Sequence, residues 1–214
     1  QTLIKPSSEF IKKKGNQIQF NSLLKEIEIK NDMVTNLIFN HKKINIGDNE
    51  KVILCIPPTN LNKLLPEIIL PKDYNTILNI HFKIKKNILS KFKQPIFGLI
   101  NSISDWVFIK HNHISVTVSN ANSMNSIDSD KIAKNVWEEI CLYLGEKIEF
   151  LKFQVVREKK ATYHQSTKNL KLIKNLKKIP NNILLAGDWT QYNLPCTIEA
   201  SILSGKKAIE YLNN

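Results

Sequence analysis

The chain has 214 residues, 42% of them apolar, and a formal net charge of +12 from 31 basic and 19 acidic side chains. That length and apolar content suit one large or two small packed domains and exclude wholesale disorder. The charge invites nucleic acid as a partner, but the basic residues include a single arginine, Arg157. Base and phosphate recognition leans on arginine's planar fork, so the scattered lysines point instead to a solvated surface that favours anionic lipid.

Cys55, Cys141 and Cys196 are odd in number, far apart and without a C-x-x-C pair. That speaks against a disulfide framework or zinc site and for a reducing cytoplasm. No apolar run approaches the ~20 residues of a membrane span. His81, His111, His113 and His164 have no cysteine or carboxylate at ligand spacing, so a solvated turn around Asn112 is a better reading than a metal site. Hydrolase chemistry lacks a G-x-S-x-G elbow. The six glycines are isolated from one another, which excludes a G-x-G-x-x-G fingerprint or phosphate loop within these residues.

In chain order, Pro6-Ser-Ser, Glu9-Phe-Ile-Lys-Lys-Lys and Gly15 predict a short helix. Gln17 to Asn21 alternates as a strand. Leu23 to Ile29 and Met33 to Phe39 read as two more, joined by a tight turn at Asn31-Asp32, with a third around Ile44 and Ile46. Lys51 to Ile56 reads as a buried strand stopped at Pro57-Pro58. Leu61, Leu64 and Leu65 suggest a short helix closed by Pro66.

Tyr74 to Lys85 alternates as a half-buried strand. Ile96 to Ile100, Trp106 to Ile109 and Ile114 to Val118 continue an antiparallel sheet. A helix from Ser126-Ile-Asp-Ser-Asp to Leu144 carries Ile132, Val136, Ile140 and Leu144 on one stripe, and Gly145 ends it. Phe150 to Val156 is a further strand, followed by Arg157-Glu-Lys-Lys as a solvated run. Trp106, Phe108, Phe150 and Phe153 suit core packing or the lining of an apolar cavity, and sequence leaves both open.

Ile183 to Ala186 is a short apolar run between turn residues, the pattern of a strand buried on both faces. Gly187-Asp188 breaks it at its carboxyl end, where open α/β sheets place ligands. In the helix that follows, Ile198, Ile202, Ile209 and Leu212 share a stripe expected to face the sheet. Gly205 on that stripe predicts a close approach, since glycine costs about 1 kcal/mol against alanine there. Such a unit suits a flavin. A carboxylate past a strand can accept hydrogen bonds from ribityl or sugar hydroxyls, and first-turn N–H groups favour negative charge at the edge of a reduced ring. A plain strand-turn-helix in which Asp188 only shapes the turn fits the same spacing.

Ala186-Gly-Asp-Trp-Thr, Leu194-Pro-Cys-Thr-Ile-Glu-Ala and Ser204-Gly together resemble the C-terminal FAD motif of the flavin amine oxidase and phytoene desaturase superfamily. Within it they are most similar to the squalene-associated FAD-dependent desaturases, the hydroxysqualene dehydroxylases of hopanoid synthesis. The chain departs in having Gln191-Tyr-Asn before Leu-Pro, Cys196 where alanine is usual and Ala200 where glycine is usual. Asp105-Trp-Val-Phe, Ser115-Val-Thr-Val-Ser and Val156-Arg-Glu-Lys-Lys-Ala-Thr-Tyr resemble further stretches of that family. The resemblance thus covers nearly the whole chain, as the C-terminal half of such an enzyme. Because the family opens with the glycine fingerprint, it implies a missing N-terminal half of the same protein before Gln1.

The fold implied is α/β, of mixed α+β character. It comprises the C-terminal portion of a Rossmann-like FAD-binding domain with its β-meander, plus an antiparallel-sheet substrate domain with helices. Residues 1–58 and 181–214 would belong to the FAD domain and 59–180 to the substrate-binding cap. The implied cofactor is FAD. Its binding positions are Leu24, whose family counterpart holds adenine through backbone groups, and Gly187, Asp188, Leu194, Pro195, Cys196, Thr197 and Ile198. In the family a basic residue near Arg157 precedes the return toward the flavin.

The implied reaction is reductive removal of the hydroxyl from hydroxysqualene, an apolar isoprenoid, giving squalene. A carotenoid desaturase or a flavin amine oxidase is the alternative, and no catalytic residue is assigned. The expected location is the cytoplasm, peripheral to the inner membrane of a bacterium through contact with anionic lipid, with no nucleic acid partner. The rival from another class is a non-catalytic basic module that binds membrane or RNA. The Ala186-Gly-Asp loop and the Leu-Pro-x-Thr-Ile-Glu helix start argue against that rival, which has no reason to keep them.

Overall fold

The computed structural model describes residues 3–85 and 94–212. It divides into two compact units, Gln1–Leu70 with Leu172–Asn214, and Pro71–Lys171. The first unit opens with helix α1 (Ile4–Lys13), which buries no side chain. Strands β1 (Leu24–Lys30), β2 (Met33–Phe39) and β3 (Lys43–Asn45) then form an antiparallel meander in that order. Asn31 and Asp32, both with positive φ (51° and 56°), turn β1 into β2, a pairing of left-handed residues that short polar side chains tolerate.

Gln17 to Asn21 forms no strand. Asn21 is left-handed, with φ 57°, which ends any ladder there. The Asn40 amide instead fastens the segment, accepting from Leu23 N–H at 3.0 Å and donating to the Asn21 carbonyl at 3.1 Å. Strand β4 (Val52–Leu54) follows, then helix α2 (Pro58–Leu64) with Leu61 fully buried. Proline at the start of α2 costs no hydrogen bond, because first-turn N–H groups have no partner within the helix. Helix α2 clusters with the first unit, which therefore runs past the Pro57-Pro58 stop to Leu70.

The second unit is a five-stranded antiparallel sheet in the order β6-β7-β8-β5-β9. Its members are β5 (Tyr74–Ile84), β6 (Ile96–Gly98), β7 (Trp106–Lys110), β8 (His113–Val118) and β9 (Phe150–Tyr163). The period-two pattern of β5 decides the faces. Leu78, Ile80, Phe82 and Ile84 are buried under helix α3 (Ser129–Leu144), while Ile77, Asn79, His81 and Lys83 face the other way. Helix α3 turns Ile132, Val136, Trp137 and Ile140 inward. Asp128 caps it, accepting from the N–H groups of Asp130 at 2.8 Å and Lys131 at 3.2 Å, and left-handed Gly145 ends it.

Strand β9 runs 14 residues, so Arg157 to Lys160 lies inside it rather than after it. As an outer strand it tolerates outward charge. Arg157 itself donates to Ser129 Oγ at 2.8 Å and to the Ile127 carbonyl at 2.7 Å, so its guanidinium fastens the start of α3. The four aromatic residues divide between the faces. Phe150 and Phe153 join Phe82 and Trp137 in a core cluster with ring centroids 4.7 to 5.8 Å apart. Trp106 and Phe108 sit on the face away from α3, in register with Thr117 and Ser115.

Helix α4 (Thr167–Lys174) leads back to the first unit, where β10 (Ile183–Leu185) pairs in parallel with β4, Leu184 opposite Ile53. Only Ile183 of β10 is buried; Leu184 and Leu185 are half-buried. Helix α5 (Ile198–Glu210) follows. It turns the opposite face inward from the one its large apolar residues suggest. Ala200, Ser204 and Ala208 are buried, while Ile198, Ile202 and Ile209 are 69%, 53% and 50% exposed. Small side chains at four-residue spacing let the helix backbone approach its support closely, so the close contact comes from Ala, Ser and Ala. Gly205 lies off that contact, and a Cβ there would meet nothing within 4 Å. Among the described residues no helix is long and apolar enough to cross a membrane.

Candidate functional site

The turn between β10 and α5 is held by a set of bonds around Gly187. Its φ of 146° favours glycine, and an added Cβ would lie 2.9 Å from Trp189 Nε1 and 3.0 Å from Trp189 Cδ1. The indole cannot easily yield, because it is buried and donates to the Ile56 carbonyl at 2.9 Å, just past the end of β4. Gly187 N–H donates to Ser204 Oγ at 2.7 Å, and Thr190 Oγ donates to the Gly187 carbonyl at 2.8 Å. Ser204 in turn donates to the Ser201 carbonyl at 2.7 Å. The strand end, the turn and the helix are thus pinned together by groups that a ligand does not need to touch.

Asp188 stands half-buried just past the carboxyl end of β10, its Oδ1 accepting from Trp189 N–H at 2.9 Å. Gln191 is buried and accepts from Lys207 Nζ at 2.7 Å, which ties the loop to α5. The loop then passes through half-buried Leu194, exposed Pro195 and half-buried Cys196, which is in no disulfide. Thr197 caps α5, its Oγ accepting from Ala200 N–H at 3.2 Å. The first turn beyond it is open, with Thr197, Ile198 and Glu199 exposed.

The expected positions therefore fall at one turn, with one outlier. Asp188 and the start of α5 bracket one turn, where a carboxylate and the positive end of a 13-residue helix lie on the same connection. Gly187 belongs to the framework of that turn, since its N–H is taken by Ser204. Leu24 lies apart in the meander as the first residue of β1. Because β1 is an outer strand, alternate backbone groups along it point away from β2. The residues whose roles sequence reasoning missed are Trp189, Ser204 and Gln191. Trp189 and Ser204 were visible as motif letters, but only the fold shows that each reaches back to fasten the turn.

A cleft of about 760 Å³ is lined by Ile29, Asp32, Leu65, Glu67, Lys178 and Pro180 among others. It lies by the residues that precede β10, at the amino end of the strand, and so is not at the Asp188 turn. A smaller hollow of about 280 Å³ runs beside β10 and α5, between Leu185, Thr190, Ser204 and Tyr211 among others. Among the described residues no cluster of His, Cys, Asp and Glu could hold a metal ion.

A carboxylate past a strand end, an open helix start and the outward edge of a strand fit the polar parts of a flavin nucleotide. Comparison with known proteins points to the same cofactor. The family model for flavin containing amine oxidoreductase matches residues 2–212. A hydroxysqualene dehydroxylase from Zymomonas mobilis is 31% identical, over 98% of this chain and 50% of that protein. One from Rhodopseudomonas palustris is also 31% identical, over 97% of this chain and 49% of that protein. The chain thus spans about half the length of the curated relatives it matches. A solved putrescine oxidase bound to putrescine superposes with a TM-score of 0.70 at 11% identity, over 97% of this chain and 52% of that one. The chain belongs to the family of flavin-containing amine oxidoreductases, whose cofactor is FAD.

Proposed function

We propose that this chain forms the C-terminal part of an FAD-dependent oxidoreductase that removes the hydroxyl group of hydroxysqualene to give squalene. The observation that carries the reading is the likeness along almost the whole chain to relatives named hydroxysqualene dehydroxylase. The geometry of the β10–α5 turn supports it. Asp188 would accept hydrogen bonds from the ribityl or phosphate end of the cofactor. The segment Leu194-Pro-Cys-Thr-Ile would bring the open first turn of α5 to the ring edge that becomes negative on reduction. The outer edge of β1 at Leu24 would take the adenine through its backbone, and Gly187 would hold the turn in shape. Bound FAD, once reduced, would supply the hydride.

In this reading the first unit contributes to the FAD domain and the second receives the isoprenoid. Trp106 and Phe108, on the face of the sheet away from α3, offer apolar surface of the kind such a substrate needs. The test is incubation of the intact, flavin-loaded protein with hydroxysqualene and a reductant, followed by mass spectrometry of the extracted lipids. Squalene is the expected product. Failure to form squalene, together with desaturation of phytoene or oxidation of an amine by the same preparation, would overturn the assignment.

A further inference from the structure

The register of the five-stranded sheet places four basic side chains in one row. Lys152 on β9 is opposite Lys83 on β5, Lys83 is opposite His113 on β8, and His113 is opposite Lys110 on β7. Residues directly opposite in a sheet share a face with Cβ atoms about 5 Å apart, and like charges there destabilise it. The row contains no carboxylate. Lys85 and Lys147 are exposed at the same end of the sheet, where the carboxylates are Glu138 on α3 and Glu146 and Glu149 in the connection from α3 to β9.

Large apolar side chains surround this end. The C-terminal half of α3 covers the face of this end opposite the row, with Trp137 against Phe82 and Phe150, and Tyr143 stacked on Phe97 at 4.7 Å. Beyond them Leu142 is 87% exposed and Tyr143 53% exposed, and Leu151 lies half-exposed beside Lys152. Lysines on one face of this sheet end, with exposed leucine and tyrosine on the helix that covers its other face, supply together the two components of a lipid interface met end-on, charged headgroups and the acyl boundary just beneath. Lysine stems can lie along apolar surface while their heads reach the phosphates.

We propose that this end of the second unit, the Lys110–His113 hairpin with Lys83, Lys152 and the tail of α3, docks on an anionic lipid bilayer. Charge complementarity selects this occupant over RNA, because the arginine that base and phosphate recognition favours is spent elsewhere, on Ser129 and Ile127. The proposal does not depend on which isoprenoid the enzyme transforms.

The test is co-sedimentation of the intact protein with phosphatidylcholine vesicles and with vesicles mixed about two to one with phosphatidylglycerol. Binding is expected only to the mixed vesicles and should weaken with salt. Each lysine near such a surface contributes about fivefold to partitioning, so K110Q/K152Q should lose roughly 25-fold. K12Q/K13Q makes the same change of net charge on α1 and should change binding by less than about twofold. Hydrogen exchange of the unsubstituted protein on the mixed vesicles gives a reading free of folding effects, with protection expected at residues 108–114 and 141–152. Equal losses in both double variants, equal binding to both vesicle types, or protection confined to other segments would overturn the proposal. So would Lys110-dependent binding to a single-stranded RNA without binding to vesicles.

Discussion

Asn182 grips the backbone of Val34 with both ends of its side-chain amide, Oδ1 accepting from Val34 N–H at 2.7 Å and Nδ2 donating to the Val34 carbonyl at 2.9 Å. Both residues are buried, and the amide stands in for a missing strand partner, joining the meander to the start of β10. Asn182→Leu would strand two buried backbone groups at about 1–3 kcal/mol each. Urea denaturation should show a loss of roughly 2–5 kcal/mol, and Asn182→Asp, which keeps the acceptor and loses the donor, should fall between.

The face that α5 turns inward makes an opposite pair of expectations. Gly205→Ala should stabilise the protein by about 1 kcal/mol, because the helix gains propensity and the methyl meets open space. Ile202→Gln should shift stability by no more than about 0.5 kcal/mol, whereas Ala208→Leu should cost about 1–3 kcal/mol by overfilling the buried side. Thermal melts of the three variants check the face directly. A destabilised Gly205→Ala would restore the close approach that the sequence suggested.

These helix variants mark where sequence reading reaches its limit. The strands β2 and β5, the Asn31-Asp32 turn and the caps of α3 were legible because each depends on local chemistry: alternation, left-handed tolerance, a capping carboxylate, a C-terminal glycine. The inner face of α5 was not, because periodicity of large apolar residues finds the most hydrophobic stripe, while the buried contact here is made by Ala200, Ser204 and Ala208. Gln17 to Asn21 alternates like a strand but has no partner strand, and pairing is invisible in a single segment. At the site, Asp188 and the start of α5 were legible as motif residues. The fastening by Trp189 and Ser204 was not, since it rests on contacts across 133 and 17 residues.

Glu139 gives the second unit a dependence on acid. Burial raises its pKa, but hydrogen bonds from Ser102, Ser104 and the N–H groups of Ile103 and Ser104 outweigh that and hold the carboxyl below its ordinary value of 4.5. The contacts are short, 2.8 Å to Ile103 N and 2.6 Å to Ser104 Oγ. A lowered folded-state pKa contributes stability that is present above the unfolded value and lost as pH falls through the folded one. Glu139→Gln should therefore destabilise the protein at neutral pH, with the gap to the parent closing below pH 4.5. A gap independent of pH would show that the loop around Ser104 does not need the charge.

Asp188 separates a cofactor contact from a turn former. In the intact protein, Asp188→Ala should remove a charge-assisted hydrogen bond worth roughly 1.5–3 kcal/mol to flavin binding. Flavin content after purification, read by absorbance, should fall while the circular dichroism spectrum stays that of the parent. Full flavin occupancy would reduce Asp188 to its bond with Trp189 N–H.

The placing of the α5 start against the flavin ring is tested most directly by the midpoint potential of the bound flavin in two Cys196 variants. Cys196 sits half-buried just before the cap Thr197, so Cys196→Asp adds a negative charge at the helix start and Cys196→Ala does not. If first-turn N–H groups face the ring edge that becomes negative, the added carboxylate should make reduction harder. A change of ~1.4 kcal/mol for a two-electron couple lowers the potential by about 30 mV, while Cys196→Ala should stay near the parent value. Three equal potentials, with flavin bound in all three proteins, would mean that α5 does not face the flavin.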